Sequence, residues 1–410
     1  MPQLYLFNPG HEMEILCGKS HYTPSYTVQK MSTDLELLPI WYAGAGSFTL
    51  VRNVRSSQFI STLPKEFRPL LSSPMILNLM TKELYRRKKV GEKPKLPPLT
   101  ASIWGLSPRS IDILKELRNA GMEIEIPEWK EEYAILTKRQ TSAACLEQLQ
   151  KNIPVAPYVK IPEFFTEIEE IQKFISKNAR PYVIKTPLSS SGRGLYWLEE
   201  NKLDSRAISW INGALKKQGA VSVEPALNKI LDFAAEFYSD ENGNVEYAGL
   251  SIFETNGHGQ FEGCMLGSQE TLLQRLNEFI SPEDYMFLVE QVRLILKDTV
   301  GSVYSGFMGV DMLIYKTADG DYAVHPFVEL NLRYTMGLAA MEISRQFINP
   351  GSRGMLRTMS FIYDAYKEHQ RMQEESPLII NDDGLICSGY LSLCPVSTDT
   401  RYLAVINVFE

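Results

Sequence analysis

The sequence predicts a mixed fold, in which an α/β domain is followed by α+β subdomains. In the first third, QLYLF, the apolar run LLPIWYAGAG and SPRSIDILKELRNAGMEIEIPEW give the order strand, helix, strand that is typical of α/β proteins. From Val221 onward, short apolar stretches alternate around a polar turn at 241–244, which predicts antiparallel strands. A large core is expected because 44% of the 410 residues are apolar.

Local signals place the elements in chain order. Ser107 or Pro108 starts an amphipathic helix that Gly121 ends, and further helices are predicted in TSAACLEQLQKN, TEIEEIQKFISKN, MGLAAMEISRQF and RTMSFIYDAYKEHQRMQEE. Short C-terminal strands follow the last of these helices. The predicted parts are an N-terminal domain at 1–133, subdomains at 134–220 and 221–365, and a C-terminal segment at 366–410.

Composition narrows the class of protein. The formal net charge of −7 gives no global electrostatic reason to bind nucleic acid or an anionic membrane. We see no secretory signal and no apolar run long enough to span a bilayer, so a cytoplasmic location is expected. The five cysteines lack paired metal spacing, which predicts reduced thiols and no zinc site.

One stretch, PYVIKTPLSSSGRGLYWLEE at 181–200, combines a strand ending in Lys185 with a Ser/Gly-rich turn and a second strand. Backbone N–H groups of such a turn can converge on phosphate oxygens while the lysine neutralises their charge. The turn includes Ser190, Ser191, Gly192, Arg193 and Gly194. Because a lysine, an arginine, serines and glycines occur so close together, phosphate binding is favoured over a simple hairpin, which is the alternative interpretation.

Oxygen-bearing side chains mark two later strands, in GFMGVDMLIY and VHPFVELNLRYTMG. Asp311 and Glu329 lie in or just after apolar strands, where a carboxylate is costly unless it is paired or binds a metal. Asn331 points to the same side of an extended chain as Glu329, and oxygen ligands suit magnesium. Arg333 follows with a fork that fits a phosphate oxygen. For Asp311 alone, an exposed strand end is the alternative.

Over residues 133–350, the order and content of these motifs resemble the ATP-grasp superfamily, in which two α+β subdomains clamp ATP. The resemblance implies ATP and Mg²⁺ as cofactors. IKTPLSSSGRG resembles the second lysine and loop of the family, so Lys185 is expected to contact a phosphate or the adenine edge. TKRQTSAACLEQL resembles the opening segment, which makes Lys138 the first lysine, although Arg139 could serve instead.

The resemblance also implies an adenine-reading hinge in VEPAL. Glu224 and the backbone around Ala226 would read adenine, and Asp232 would contact the ribose. For Glu224, a surface position on a strand is the alternative. NGHGQFEG at 256–263 corresponds to a mobile loop, where His258 or Glu262 could touch substrate or simply form a flexible turn.

The two strands in GFMGVDMLIY and VHPFVELNLRYTMG, here called the metal strands, complete the implied site. Asp311, Glu329 and Asn331 would hold Mg²⁺ between the β- and γ-phosphates. Arg333 and Arg193 are the expected catalytic residues, because a guanidinium can stabilise charge during phosphoryl transfer.

The resemblance implies a ligase that activates a small-molecule carboxylate as an acyl phosphate for attack by an amine, such as an amino acid. A small-molecule kinase and a catalytically inactive nucleotide-binding protein are the alternatives. Because loops after strands carry most ligand contacts in such sheets, the loops at 8–12 and 44–47 are candidate substrate loops, although turn chemistry alone explains either one. A homodimer is common in the family. The substrates themselves are not predicted.

Overall fold

A computed structural model describes residues 1–52, 55–92, 96–153, 159–177, 181–189, 192–200 and 202–409. Its strands are β1 (Gln3–Leu6), β2 (Phe48–Val51), β3 (Ser73–Ile76), β4 (Leu99–Ile103), β5 (Ile124–Glu125), β6 (Glu163–Phe165), β7 (Tyr182–Lys185), β8 (Leu195–Leu198), β9 (Val221–Pro225), β10 (Asn228–Ser239), β11 (Val245–Thr255), β12 (Phe261–Leu266), β13 (Gly306–Lys316), β14 (Tyr322–Asn331), β15 (Arg353–Ser360), β16 (Ile379–Ile380), β17 (Ile386–Ser392) and β18 (Tyr402–Phe409).

Helices connect most of these strands. They are α1 (His11–Cys17), α2 (Tyr26–Asp34), α3 (Arg55–Thr62), α4 (Leu77–Lys89), α5 (Pro108–Ala120), α6 (Glu131–Leu136), α7 (Arg139–Asn152), α8 (Ile168–Ser176), α9 (Ser205–Gln218), α10 (Gln269–Leu276), α11 (Pro282–Thr299), α12 (Met336–Phe347) and α13 (Ala365–Glu375). Within the described ranges, none of the helices combines the length and apolar character that a membrane span requires.

The chain divides into two compact units. The first unit comprises Met1–Trp129, Gly263–Gln269 and Arg333–Glu410, and the second comprises Lys130–Glu262 and Glu270–Leu332. The division of the sequence at residues 133, 220 and 365 stays a prediction.

In the first unit, five parallel strands form a sheet in the order β3-β2-β1-β4-β5. Leu4, Leu50 and Leu99 on the sheet pack in one core cluster with Leu114 and Leu117 of α5. Helix α5 confirms the predicted signals, since Ser107 caps its start, Pro108 is its first residue and Gly121 ends it at φ 112°.

The run LLPIWYAGAG contains a short buried 3₁₀ helix at Leu38–Trp41. The prediction that the loop at 44–47 follows a strand is wrong, because this loop precedes β2. In a parallel sheet, it therefore lies at the edge opposite to the carboxyl ends of the strands.

The first unit also contains antiparallel strands from the later part of the chain. Residues 263–266 of β12 pair with β15, and β15 continues to β18, β17 and β16. The prediction of a helix in RTMSFIYDAYKEHQRMQEE is wrong in its first part, because the chain there forms β15 and α13 begins only at Ala365. Residues 353–360 pair with all of β18, and local periodicity does not reveal such a distant partner.

The second unit contains two antiparallel arrangements that position the candidate site. One is the sheet β6-β9-β7-β8, with α8 and α9 packed on its core. The other consists of β14, β13, β10 and β11, paired in that order. The predicted polar turn joins β10 to β11, where the Asp240 N–H donates to the Asn244 carbonyl at 2.9 Å. The predicted antiparallel second half is therefore confirmed.

Candidate functional site

Lys185 and Glu224 form a buried ion pair in the second unit. Lys185 ends β7, and Glu224 lies on the neighbouring antiparallel strand β9, so both side chains emerge from one face of the sheet. Lys185 Nζ lies 2.9 Å from Glu224 Oε1, and both side chains are at most 10% exposed. Glu224 is thus not an exposed strand residue, and its carboxylate balances the charge of the lysine.

His325 joins this electrostatic environment and was missed by the sequence analysis. It is a buried residue of β14, and its Nδ1 accepts a hydrogen bond from the Phe327 N–H at 3.4 Å. Burial lowers its pKa to about 4, the Glu224 charge opposes this shift, and the Lys185 charge adds to it. The imidazole is therefore neutral at physiological pH.

Arg139 connects the Ser/Gly-rich loop to the predicted metal strands. This residue begins α7 and is 7% exposed. Its Nε donates to the Thr186 carbonyl at 3.1 Å and its Nη2 donates to Ser189 Oγ at 3.1 Å. The same Nη2 lies 3.0 Å from Glu329 Oε1. One rigid guanidinium therefore holds the loop and a predicted metal ligand together.

Lys138, the predicted first lysine, is the residue before α7 and is half-buried. Its neighbour Arg139, the alternative in the sequence analysis, makes the contacts described above. Sequence pattern alone cannot separate two adjacent cations, because the choice depends on which one faces the loop.

The three predicted metal ligands share one face of the β13–β14 pair. Asp311 lies directly opposite Glu329, and Asn331 lies opposite Gly309. All three side chains are partly exposed. Two carboxylates and one amide are too few for an all-protein cage, and they fit Mg²⁺, which usually keeps waters and substrate phosphates among its ligands.

Glu236 is a further carboxylate on this face, which the sequence analysis did not identify. Glu236 is a residue of β10 and lies opposite Gly309 of β13. It is fully buried and accepts a hydrogen bond from Ser251 Oγ at 2.9 Å. The available signal was a carboxylate within the apolar run LDFAAEFY.

The Ser/Gly-rich loop packs against a hairpin turn. Gly192 has φ 69°, and a Cβ there would lie 2.2 Å from the Gly259 carbonyl oxygen. A Cβ on Gly194 would lie 2.2 Å from Thr186 Oγ1. Both positions therefore require glycine. Ser190 and Ser191 lie outside the described residues, and Arg193 is exposed.

The hairpin turn occupies the position of the predicted mobile loop. The Asn256 N–H donates to the Gln260 carbonyl at 2.9 Å, and the Gly259 N–H donates to the Asn256 carbonyl at 2.8 Å. His258 and Glu262 are exposed, and Glu262 already belongs to β12.

The remaining predicted nucleotide contacts are engaged within the protein. The Ala226 N–H donates to the Pro181 carbonyl at 3.0 Å. Asp232 pairs with Lys229 and accepts from Thr255 Oγ1 at 2.7 Å. Arg333 belongs to the first unit, where its Nε lies 3.2 Å from Glu12 Oε1.

No protein-family model and no curated protein matches this sequence. Solved structures match it over its whole length. The biotin carboxylase domain of Hydrogenobacter thermophilus 2-oxoglutarate carboxylase, solved with magnesium ADP, ADP and bicarbonate, has a TM-score of 0.52 and 12% identity and is covered over 86% of its length. Campylobacter jejuni biotin carboxylase, solved as a β,γ-ATP complex, has a TM-score of 0.52 and 12% sequence identity, and 88% of its length is covered. At this identity the likeness shows the fold alone, and the fold is the predicted one.

Proposed function

We propose that this chain, which has the ATP-grasp fold, is an ATP-dependent ligase that joins a small-molecule carboxylate to an amine through an acyl phosphate. The observation that carries the proposal is the position of Arg139. Its side chain contacts both Ser189 of the phosphate loop and Glu329 of the metal strands. Phosphoryl transfer from a nucleoside triphosphate needs a loop that binds the phosphates and a carboxylate that holds the metal ion close to each other, and Arg139 contacts the residues proposed for both roles.

Nucleotide binding is assigned to the second unit. Lys185 and the glycines of the loop would bind phosphates, and Glu224, Ala226 and Asp232 would bind adenine and ribose. Ser190, Ser191 and Lys138 remain proposed phosphate contacts. Because the Lys185 ammonium is neutralised by Glu224 at 2.9 Å, a phosphate group must compete with a carboxylate for it.

Asp311, Glu329 and Asn331 would hold Mg²⁺, which when bound neutralises the charge of the β- and γ-phosphates. The protein's own contribution is positioning. Arg193 and Arg333 would stabilise the transferring phosphoryl group, and exclusion of water would protect the acyl phosphate from hydrolysis. The carboxylate oxygen would form a new bond to the γ-phosphorus while the bond from that phosphorus to the β,γ-bridging oxygen breaks and ADP leaves. The neutral amine would then attack the acyl carbon, the C–O bond to phosphate would break, and phosphate and a proton would leave.

The test is a screen of small carboxylates and amines for Mg-ATP-dependent release of ADP, with hydroxylamine added to trap an acyl phosphate as a hydroxamate. Release of ADP and free phosphate together with an amide product supports the ligase. A stable phosphorylated product identifies a kinase and overturns the proposal. Absence of MgATP binding by the wild-type protein overturns nucleotide chemistry altogether.

A further inference from the structure

The first unit contains a polar cluster at the carboxyl ends of two parallel strands. In the strand order β3-β2-β1-β4-β5, β1 lies next to β2 on one side and β4 on the other, so the connections leave β1 and β4 in opposite directions. Ligands of open α/β sheets bind in the crevice at such a switch point. The loops that leave β1 and β4 here are residues 7–10 and 104–107.

Hydrogen bonds fix these two loops to each other. Asn8 Nδ2 donates to the Gly105 carbonyl at 2.7 Å, and the Gly105 N–H donates to Asn8 Oδ1 at 3.0 Å. Glu14 accepts from Ser107 Oγ at 2.6 Å and pairs with Arg109 at 3.0 Å. These groups are satisfied by one another and build a rigid frame.

His11 is held against the backbone of this frame. A Cβ on Gly105 would lie 2.1 Å from His11 Cγ, so the ring occupies the space that any other residue at position 105 would need. The residue His11 is 2% exposed. The imidazole is therefore in a fixed position at the carboxyl ends of β1 and β4.

Two buried polar atoms in this cluster lack a hydrogen-bond partner among the described residues, namely His11 Nδ1 and Glu12 Oε2. They lie 3.3 Å apart without hydrogen-bond geometry. The other oxygen of Glu12 accepts from Arg333 Nε at 3.2 Å. An unsatisfied buried polar atom costs about 1–3 kcal/mol, so two adjacent ones call for a bound partner.

The chemistry of the two unsatisfied atoms points to that partner. Burial lowers the pKa of His11, with Arg333 acting in the same direction and the charges of Glu12 and Glu14 opposing it. A neutral imidazole nitrogen and a carboxylate oxygen can both accept hydrogen bonds. A partner with two N–H donors and a positive charge satisfies both atoms, whereas an anion would be repelled by Glu12.

We propose that His11 and Glu12 bind the ammonium group of a primary amine. The amine becomes the nucleophile of the ligase reaction once the ammonium has released a proton to water; this role rests on the proposed function. Arg333, the partner of Glu12, follows the predicted metal ligand Asn331 by two positions in the sequence.

The test uses the full-length protein and a panel of primary amines, namely the nineteen standard amino acids other than proline, ethylamine and 1,4-diaminobutane, each compared with its analogue that lacks the amino group. Thermal unfolding reports binding, and ADP release with the carboxylate panel reports turnover. Glu12→Gln keeps the shape and removes the charge. Glu116→Gln, on the exposed face of α5, is the matched control for net charge.

We expect at least one amine to raise the unfolding midpoint of the wild type and of Glu116→Gln, while its analogue does not. In Glu12→Gln, the half-maximal amine concentration should rise at least about tenfold, since a charge-assisted hydrogen bond is lost. Gly105→Ala, which displaces His11, should weaken the response while MgADP binding is kept. Proper folding of each variant is checked by circular dichroism.

Three results overturn the proposal: no amine of the panel binds, the analogues bind equally well, or Glu12→Gln responds as the wild type does. These results are separable from a failure of the proposed function. Amine-stimulated ADP release that survives in Glu12→Gln refutes the site and keeps the ligase. Amine binding that depends on Glu12, without any ADP release, keeps the site and refutes the ligase.

Discussion

Arg139 and Glu329 lie 190 positions apart in the sequence and meet at 3.0 Å between Nη2 and Oε1. In this arrangement Glu329 is neutralised by a guanidinium that also holds the Ser/Gly-rich loop. Under the proposed function, a divalent cation would compete with Arg139 for this carboxylate, and a nucleotide phosphate would become the new partner of the arginine. Metal and nucleotide are accordingly expected to bind together.

Glu329→Gln should abolish turnover while the protein stays folded. We expect a fall of at least about 100-fold, because a metal ion supplies several kcal/mol of charge stabilisation that an amide ligand cannot anchor. ADP binding in EDTA should be nearly unchanged. Glu147→Gln, an exposed glutamate of α7, is the control. Turnover close to that of the wild type would remove Glu329 from the metal site.

Arg139→Gln should raise the KM for ATP about tenfold or more and lower the free energy of unfolding by about 1–3 kcal/mol, since Glu329 and Ser189 lose a charged donor. For Arg139→Lys, the KM for ATP and the free energy of unfolding should lie between those of the wild type and those of Arg139→Gln, because an ammonium keeps the charge of the guanidinium but not its forked shape. Steady-state kinetics and urea unfolding measure both effects, with the exposed Arg206→Gln as control. Equal behaviour of the lysine and glutamine variants would contradict the role of charge.

His325 predicts an acid-sensitive contribution to stability. Its pKa is about 4 in the folded chain against the ordinary 6.5, so the unfolded chain binds the proton more readily. Stability from this group is complete above pH 6.5 and is lost as the pH falls towards 4. The loss is about 3 kcal/mol, following 1.36 kcal/mol per pKa unit.

The measurement is urea unfolding between pH 4.5 and 7.5. His325→Gln should lose less stability over this range than the wild type does. Parallel curves for the two proteins would show that protonation of His325 does not contribute.

Gly192→Ala should weaken nucleotide binding and lower stability by about 1–2 kcal/mol, because a left-handed backbone position and contact with Gly259 both exclude a methyl group. Gly213→Ala is a matched control within α9, where a Cβ meets no atom within 4 Å. That control should be stabilised by about 0.5–1 kcal/mol. ADP titration measures nucleotide binding and thermal unfolding measures stability. Equal destabilisation of the two variants would argue against a specific contact at Gly192.

Local signals predicted much of the fold. The cap at Ser107, the glycine at 121 and the hairpin turn at 241–244 depend on neighbours in the sequence, and the structure has all three. β15 was mistaken for helix because its pairing with β18 comes from residues more than forty positions away. Pairing partners of this kind are set by tertiary packing, which outweighs local propensity.

The candidate site was predictable where chemistry and spacing coincide. Asp311, Glu329 and Asn331 stood out as oxygen ligands in apolar strands, and the structure places them on one face. His325 and Glu236 did not stand out, because burial and the proximity of other charges decide their importance. The choice of Arg139 over Lys138 as the bridging cation likewise depends on side-chain direction, which composition does not reveal.

The contact between Gly192 and the turn at 256–260 places the indole of Trp197 beside the Ser/Gly-rich loop. A Cβ at Gly259 would lie 3.8 Å from Trp197 Cζ2, and Trp197 is 40% exposed. A ligand that moves the Ser/Gly-rich loop is expected to change the solvent exposure of this ring. The protein therefore carries its own fluorescent reporter, whose emission can be isolated by subtracting the spectrum of Trp197→Phe.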